Sequence, residues 1–456
     1  MNHRTITAAS LGSSAFRVAY GIKYAYVTGA MYKGIASKEL VLAMGEAGLI
    51  GYLGTGGLRL PEIETALDHI QRHLPAGKSY GMNLLHNMEQ PEVEEATVDL
   101  YLHRNVRLVE AAAYVNITPS LVRFRLKGLA RDGNGNVVAP NRLLAKVSRP
   151  EVATAFMEPP PAQIVGALRE AGRLTAAEAE LSRHIPMAHE ICVESDSGGH
   201  TDQGIALALL PAMLLLRDRM MAKHGYAERI SVGAAGGIGT PHAAAAVFAM
   251  GADFILTGSI NQCTVEAGTS DAVKDLLQEI DVQDTAYAPA GDMFELGAKV
   301  QVARRGVFFP ARANKLFELY QRHGSLEEIE PKTRQQIQER YFGRSFEEVW
   351  QETRSYLLRT QPGKLQDIER HPKQKMAAIF KWYFTHTTRL ALQGVADRRV
   401  DYQIHCGPAL GAFNQWVSGT PLQSWRNRHV ADLAERLMPA AAQLLNERIA
   451  AWQAQC

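Results

Sequence analysis

A histidine that follows two glycines, His200, is the first residue of this sequence that could do chemistry. It lies in ESDSGGHTD (194–202), a polar stretch between two apolar runs, HEICV and IALALLPAMLLL. Glycines let a backbone approach a ligand closely, and a histidine titrates near neutral pH, which suits proton transfer. We therefore expect a loop that presents His200 to a ligand. A histidine that simply lies in a loop is the alternative.

Two glycine-rich turns follow apolar runs later in the chain. VGAAGGIGTPHAAAAVF places Gly236 and Gly237 before a helix that opens at TP, and ILTGSINQ places Gly258 and Ser259 after the next run. Backbone N–H groups at a helix N-terminus hold anions, and the loops after strands seven and eight of a (β/α)8 barrel form a common phosphate site. We predict a phosphate site here; tight turns without a ligand are the alternative.

Four further residues have side chains that suit a flat heterocycle. Ala30 and Met31 follow an early apolar run and could lie against a ring, and Asn83 in GMNLL offers a donor and an acceptor to a ring edge. Each of these three also fits ordinary core packing. Lys146 lies inside the apolar run RLLAKVS, where lysine is rarely buried without a partner. It predicts an anion or an electron-rich ring nearby, and a structural ion pair explains it equally well.

Eight short apolar runs alternate with amphipathic segments over the first 260 residues, as strands buried on both faces do. The runs are KYAYVT (23–28), LIGYLG (49–54), SYGMNLL (79–85), RLVEAAA (107–113), RLLAKVS (142–148), EICVES (190–195), ISVGAAG (230–236) and DFILTGS (253–259). This alternation predicts an α/β fold, a (β/α)8 TIM barrel. A doubly wound open sheet is the alternative, but its GxGxxG turn after the first strand is absent. VRFRLKGLARDGNGNVVAP reads as a hairpin-like excursion with DGNGN as its turn.

The pattern changes after residue 270, where the chain reads as helices without a strand series up to about residue 399. We predict three parts: a barrel over 1–304, a helical subdomain inserted after strand 8 over 305–400, and a C-terminal helical segment over 401–456 that packs back on the barrel. From residue 299 to 344 there are ten Lys or Arg against five Glu. This basic segment could face an acidic partner, and a solvated helical surface is the alternative.

Composition excludes several classes of protein. The 456 residues are 46% hydrophobic and 21% charged with a net charge of +2, which is typical of a soluble protein and predicts no general nucleic-acid affinity. Cys192, Cys263, Cys406 and Cys456 show no metal-ligand spacing, so we expect reduced thiols and no metal site. The N-terminal residues lack the apolar core of a signal peptide, and the longest apolar run, 205–216, is too short to span a membrane. We expect a cytoplasmic protein without a membrane partner.

Taken together in order, AMYKGIASKEL, GMNLL, ESDSGGHTD, AAGGIGTP and LTGSI resemble the nitronate monooxygenase (2-nitropropane dioxygenase) superfamily. Its members are FMN-binding TIM barrels that include flavin-dependent enoyl-acyl-carrier-protein reductases. APNRLLAKVSRPEVA, GDMFELGAKVQVARRGVFFPARANKLFELY and GPALGAFNQWVSGTPLQSWRNRHVADLA are similar to one subgroup. It comprises the trans-acting enoyl reductases of polyketide synthases and the enoyl reductase component of polyunsaturated fatty acid synthases. The likeness runs from about residue 20 to about residue 440.

The resemblance implies a flavoprotein that reduces an α,β-unsaturated acyl thioester on an acyl carrier protein, with FMN and NADPH. It implies that the flavin ring is lined by Ala30, Met31, Asn83 and Lys146, that Asp196, Ser197, Gly198 and Gly199 run beside the flavin, and that Ala235, Gly236, Gly237, Gly258 and Ser259 hold its phosphate. His200 matches the active-site histidine of the family. Many members have Glu-Ala or Glu-Ser before GGH where this chain has Asp196-Ser197, which leaves the role of Asp196 open.

The resemblance also gives His200 and the basic segment expected roles. His200 would stabilise charge on the thioester oxygen or protonate the α-carbon, and Arg304, Arg305, Arg312 and Lys315 would dock the acidic carrier protein. Nitronate oxidation with O₂ and a non-catalytic scaffold of a megasynthase are the alternative functions. The sequence leaves the oligomeric state open, a homodimer included.

Overall fold

The computed structural model describes residues 5–88 and 90–455, so Cys456 lies outside the described residues. The chain separates into two compact units. The first comprises Met1–Asp196, Asp202–Gly268 and Gln415–Cys456, and the second comprises Ser197–Thr201 and Thr269–Asn414. The domain boundaries drawn from the sequence at residues 304 and 400 stay predictions.

The strands and helices are numbered in chain order. The strands are β1 Tyr26–Thr28, β2 Ile50–Leu53, β3 Gly81–Leu85, β4 Leu108–Ala112, β5 Ala130–Arg131, β6 Val137–Val138, β7 Arg142–Val147, β8 Glu190–Glu194, β9 Gly199–Thr201, β10 Ser231–Ala235, β11 Ile255–Thr257, β12 Thr285–Pro289 and β13 Lys299–Ala303. The helices of the barrel region are α1 Ser14–Tyr20, α2 Lys38–Glu46, α3 Leu60–His73, α4 Pro91–His103, α5 Pro119–Leu126, α6 Pro150–Met157, α7 Ala162–Glu170, α8 Ala176–Leu181, α9 Ala206–His224, α10 Pro241–Ala249 and α11 Ser259–Gln262. They are followed by α12 Asp271–Leu277, α13 Phe309–Arg322, α14 Pro331–Ile337, α15 Phe346–Thr360, α16 Pro362–Arg370, α17 Pro372–Gln393, α18 Pro408–Trp416 and α19 Val430–Gln453.

The first unit is a closed barrel of eight parallel strands in the order β1-β11-β10-β8-β7-β4-β3-β2. Each of the eight runs predicted as strands contains one strand of this barrel, so the predicted TIM barrel is confirmed. The strands are short and apolar because both of their faces are covered: every residue of β1, β2 and β10 is buried.

Helix α1 covers the amino ends of the barrel strands. Phe16 and Tyr20 on α1 join a buried cluster with Leu144 and Phe254 from the strand region, and the Phe16 ring stacks on Phe254 with centroids 4.4 Å apart. The Tyr20 hydroxyl donates a hydrogen bond to Glu190, the first residue of β8, at 3.1 Å. Ligand-binding positions are therefore expected at the opposite, carboxyl ends.

The outer helices begin at the capping residues that the sequence provides. The Thr240 hydroxyl accepts a hydrogen bond from Ala243 N, and Pro241 opens α10. The last helix, α19, packs against α10 and α2, so it takes the place of an outer barrel helix between those of the seventh and first strands. It begins at Val430.

The excursion between β4 and β7 is a hairpin, as predicted. β5 and β6 pair in antiparallel fashion on either side of the DGNGN turn, and Asp132 accepts hydrogen bonds from Asn134 N and Asn136 N within it. The VRFRL segment belongs to α5 and is not part of the hairpin. Cys192, Cys263 and Cys406 are buried, reduced thiols, as expected.

The second unit combines a small sheet with the predicted helices. The order β12-β13-β9 is antiparallel throughout, and α13 to α17 bring together a buried aromatic core that includes Phe294, Phe309, Phe380 and Tyr383. The prediction of no strands after residue 270 was wrong at β12 and β13. These strands are only five residues long and pair across a loop of irregular structure, which leaves little periodicity to read. Within the described residues, no helix is long and apolar enough to cross a membrane.

Candidate functional site at the carboxyl ends of the barrel strands

Asn83 lies on β3 directly opposite Glu110 on β4. Its Nδ2 donates to the backbone oxygen of Glu110 at 3.1 Å and to the Glu110 Oε1 at 3.3 Å. Its backbone oxygen accepts hydrogen bonds from the hydroxyls of Thr55 (2.8 Å) and Tyr101 (2.7 Å). Four hydrogen bonds therefore fix Asn83: two hold its carboxamide and two hold its backbone oxygen. The sequence predicted that this carboxamide contacts a heterocyclic ring.

Ala30 lies two residues beyond the end of β1, and its backbone N–H donates to the second oxygen of the same carboxylate, Glu110 Oε2, at 3.1 Å. Met31 follows it and is partly exposed, at the entrance to a 3-10 turn over Tyr32–Gly34. Ala30 is therefore connected to Asn83 through one buried carboxylate, that of Glu110.

Lys146 on β7 completes this group. Its Nζ lies 3.1 Å from Glu194 Oε1 and 3.9 Å from Glu110 Oε1, and its side chain is only 13% exposed. The ion pair that the sequence left open as one explanation of this lysine is present, with two partners. A site that keeps an ammonium group at the carboxyl ends of the strands remains compatible with an electron-rich ligand, so the two explanations coexist.

Burial and the neighbouring charges shift the pKa values of Glu110 and Lys146 in this cluster. Burial raises the pKa of the Glu110 carboxyl, and the nearby Lys146 lowers it only in part. Burial would lower the pKa of Lys146, but the carboxylates of Glu194 and Glu110 outweigh it and raise that pKa above its usual value. Lys146 therefore stays an ammonium ion, while burial and the Lys146 ammonium act on the pKa of Glu110 in opposite directions.

The glycine turns lie where the phosphate site was predicted. Ala235 ends β10, and β10 and β11 are neighbouring parallel strands, so the turns that follow them lie at the same edge. Gly236 has φ = +90°, and a Cβ there would come within 2.5 Å of the backbone oxygen of Ser195. By contrast, a Cβ on Gly237 or Gly258 would meet nothing within 4 Å. The backbone at these two glycines borders open space, and Ser259 follows as the first residue of α11.

The stretch ESDSGGHTD is anchored in the first unit at both ends. Ser195 N donates to Ala235 O at 2.9 Å, and Asp196 N donates to Gly204 O at 2.8 Å. The Asp202 carboxylate accepts hydrogen bonds from the Arg149 guanidinium, the shorter being 2.7 Å. The stretch between these anchors, Ser197–Thr201, belongs to the second unit.

The prediction that His200 lies in a loop was wrong. Residues 199–201 form β9, which pairs with β13 so that His200 lies opposite Val300. A short, glycine-containing segment becomes a strand here because a partner strand distant in sequence is available, which no local pattern reveals. Gly198 packs against backbone: a Cβ there would lie 2.8 Å from the Cα of Cys406. This close approach leaves no room for a Cβ at position 198, which explains why a glycine is needed there.

His200 has an acidic partner that sequence reasoning missed. Its Nε2 lies 2.8 Å from Oδ1 of Asp292, in the loop between β12 and β13. Burial favours the neutral acid, but the hydrogen bond from His200 and the charge of its ring hold the pKa of Asp292 below its usual value. A carboxylate in contact with a histidine orients the ring and selects which nitrogen carries the proton.

The structure therefore brings together part of the predicted set. Glu110 links Ala30, Asn83 and Lys146, and the Ser195–Asp196 backbone lies against Gly236. Ser197, Gly198, Gly199 and His200 lie in the second unit. The signal that could have revealed Glu110 was in the sequence: a carboxylate inside RLVEAAA is as unusual as the lysine inside RLLAKVS. Nothing comparable marked Glu194, at the end of its strand, or Asp292.

With this geometry established, comparison with known proteins identifies the class. Residues 15–292 match the nitronate monooxygenase family, so the chain belongs to that family of flavin-dependent oxidoreductases. Residues 323–402 match a second family, the inserted helical domain of [acyl-carrier-protein] S-malonyltransferase, and lie after the eighth barrel strand.

Three individual proteins show which kinds of synthase protein this chain is most usefully compared with. The polyketide biosynthesis protein PksE of Bacillus subtilis is 57% identical over 97% of this chain, which spans 58% of PksE. One polyunsaturated fatty acid synthase polypeptide of Thraustochytrium is 44% identical over 91% of this chain, which spans 28% of that polypeptide. The enoyl reductase domain of MlnA, from the macrolactin biosynthesis cluster of Bacillus amyloliquefaciens, is 47% identical and superposes with a TM-score of 0.94 over 97% of this chain and 99% of that chain. The chain is thus homologous to proteins of polyketide and polyunsaturated fatty acid synthases, and the resemblance seen in the sequence is confirmed.

Proposed function

We propose that this protein is an FMN-dependent enoyl reductase that reduces α,β-unsaturated acyl thioesters on an acyl carrier protein. NADPH is the electron donor, and the protein acts in trans, in the cytoplasm, in polyketide or polyunsaturated fatty acid biosynthesis. The observation that carries the proposal is the match with the MlnA enoyl reductase domain over nearly the full length of both chains.

The first unit fits FMN on two counts. The open space beside Gly237 and Gly258, on the turns after neighbouring strands, suits a phosphate, because backbone N–H groups can approach it without a side chain in the way. The group of Ala30, Asn83 and Lys146 around the buried Glu110 suits a heteroaromatic ring, since it offers a small residue, a carboxamide and a positive charge. Gly236, Ala235 and Ser259 would complete the phosphate site, and Met31 the ring site.

The protein's own residues would then bind the flavin and orient the groups around it. Bound FMN supplies the hydride chemistry that side chains lack. Lys146 keeps its positive charge in the ring site chiefly because the Glu194 carboxylate lies 3.1 Å away. Gly236 keeps the turn after β10 closed onto the Ser195–Asp196 backbone, which fixes where the segment leading to His200 begins. The backbone oxygen of Asp196 takes part in this contact.

His200 is the proposed catalytic residue. Reduction of an enoyl thioester builds negative charge on the thioester oxygen and requires a proton at the α-carbon, and an imidazole can meet either need. Asp292 holds the His200 Nε2 at 2.8 Å, which orients the ring. Ser197, Gly198 and Gly199 would position the backbone before it.

The helical part of the second unit is the proposed carrier-protein side, which its match to an inserted helical domain of an acyl-carrier-protein transferase supports. The structure changes which cations suit docking. Arg312 is only 15% exposed and pairs with the buried carboxylate of Asp401, and Lys315 pairs with Glu318 at 3.2 Å. Arg304 and Arg305 are exposed, although Arg305 also lies 3.4 Å from Asp284. Docking therefore rests mainly on these two arginines.

The first experiment identifies the cofactor and the reaction together. The purified protein is heated to release its flavin, which is identified by chromatography; we expect FMN. The FMN-loaded protein is then given NADPH with a crotonyl thioester on a carrier protein, and, separately, a nitronate with O₂. Thioester-dependent NADPH consumption without nitronate-dependent O₂ uptake supports the proposal.

The reverse result would assign nitronate oxidation, which the family match alone equally allows. A colourless protein that cannot be reconstituted with FMN would indicate a non-catalytic scaffold.

A further inference from the structure

Glu110 connects three residues that were each predicted separately for the flavin ring. It is fully buried on β4. Its Oε2 accepts the Ala30 N–H at 3.1 Å, while its Oε1 accepts the Asn83 amide at 3.3 Å and lies 3.9 Å from the Lys146 ammonium. These partners come from β3, β7 and the segment after β1, so one carboxylate ties together three separate parts of the barrel mouth.

Charge neutralisation alone does not account for this arrangement. Lys146 has a nearer partner in Glu194, at 3.1 Å, so it needs no second carboxylate to remain charged. A fully buried carboxylate is costly unless its hydrogen bonds are satisfied. If this position were required only for packing, an apolar residue would fill it without the cost of burying a charge. The two oxygens of Glu110 are instead divided between a backbone N–H on one side and two side chains on the other.

We propose that Glu110 is a positioning residue of the flavin site, which holds the Ala30 backbone, the Asn83 carboxamide and the Lys146 ammonium in the arrangement that binds the ring. The inference rests on the proposed function, because it assumes that FMN binds in the barrel. It adds a residue that acts on the cofactor through three others rather than by direct contact.

Glu110→Gln is the test, because it keeps the size of the side chain and removes its charge. A glutamine amide group would face one of the present donors with a donor of its own, so at least one of the three contacts is lost. Lys146 keeps Glu194, so no buried ammonium is left without a partner. The matched control is Glu190→Gln. Glu190 is also fully buried in a barrel strand, but it pairs with Arg142 and Tyr20 at the amino ends.

Three quantities are measured on the full chain: the Kd of the apo-protein for FMN by flavin fluorescence, the visible absorption bands of bound FMN, and the thermal midpoint of the apo-protein. For Glu110→Gln we expect FMN affinity to fall by about tenfold or more, as loss of a charge-assisted hydrogen bond does, with shifted absorption bands. For Glu190→Gln we expect a lower thermal midpoint, with unshifted bands and an affinity within about twofold of wild type.

The inference is overturned if Glu110→Gln keeps the wild-type Kd and absorption bands, or if both variants lose FMN in proportion to their loss of thermal midpoint. If Glu110→Gln does not fold, Glu110→Asp takes its place in the same titration. It keeps the charge but is too short to reach all three partners, so we expect weaker binding, and wild-type affinity would overturn the inference. If the wild-type protein itself binds no FMN, the proposed function fails, and that result is distinct from a wild-type protein that binds FMN independently of Glu110.

Discussion

Replacing Gly258 by alanine should separate cofactor binding from folding. The added Cβ would meet nothing within 4 Å, so the fold has room for it. Gly258 has a negative φ (−129°), so alanine brings no left-handed strain there, and we expect the stability of the apo-protein to change by no more than about 1 kcal/mol. The same methyl group occupies the open space assigned to the FMN phosphate. If it displaces the phosphate from one backbone N–H, the loss of a hydrogen bond to a charged group costs about 1.5–3 kcal/mol, or about 10- to 150-fold in Kd.

Gly236→Ala is the matched control, because the same change there acts on the fold. Its φ of +90° is strained for alanine, at a cost of about 1–2 kcal/mol. The new Cβ would also lie 2.5 Å from the backbone oxygen of Ser195, which cannot rotate away as a side chain would. We expect the free energy of unfolding of this variant to fall by about 2 kcal/mol or more.

Both variants are measured by urea unfolding of the apo-protein and by FMN titration. The expected pattern is a stable Gly258→Ala protein with weak FMN binding and a destabilised Gly236→Ala protein. Wild-type FMN affinity in Gly258→Ala would refute the phosphate assignment. A large loss of stability in Gly258→Ala would refute the assignment of open space at that turn.

Three further predictions concern the second unit. His200→Ala should retain FMN but lose about 100-fold or more in kcat for enoyl reduction, measured by NADPH consumption; full activity would remove His200 from the mechanism. Burial and the neighbouring His200 ring lower the pKa of His405 to about 4, whereas an unfolded histidine has a pKa of about 6.5. The unfolded chain therefore binds the proton first, so stability is full above about pH 6.5 and falls as the pH drops towards 4, by up to about 3 kcal/mol. Urea unfolding at several pH values should show this loss, and His405→Asn should reduce it; an unchanged profile in the variant would exclude His405 as its source. Charge reversal in Arg304→Glu/Arg305→Glu should raise KM for a carrier-bound thioester several-fold and leave KM for a small thioester unchanged, since rim charges steer the protein partner; equal effects on both substrates would argue against docking there.

Much of the barrel could be predicted from the sequence because its strands are buried on both faces. Runs such as ISVGAAG and RLLAKVS are short, apolar and bounded by turn residues, so each marks a strand without knowledge of its neighbours. β9, β12 and β13 could not be predicted in this way. The pairing of β9 with β13 joins residues 199–201 to residues 299–301, a contact about 100 residues apart that no local pattern encodes. The strands β12 and β13 are only five residues long and show little alternation.

The residues of the candidate site likewise fall into those that a local sequence pattern reveals and those that only the fold brings together. Lys146 stood out because a lysine inside an apolar strand is unusual, and the structure gives it the ion-pair partners that such burial requires. Glu110 carried the same signal in RLVEAAA, but its importance lies in the three partners it contacts, which only the closed barrel brings together. Asp292 lies in an irregular loop, and nothing in its surroundings along the chain connects it with His200.

The central claim is that this protein saturates a carrier-bound enoyl thioester, and the intact mass of the carrier tests it most directly. An enoyl-loaded acyl carrier protein is incubated anaerobically with NADPH and the FMN-loaded protein, and the acyl-carrier species is weighed by mass spectrometry. The account predicts a gain of two hydrogen atoms on the acyl chain that depends on both FMN and NADPH and is lost in His200→Ala. An enoyl carrier of unchanged mass, with FMN bound and NADPH present, would contradict it.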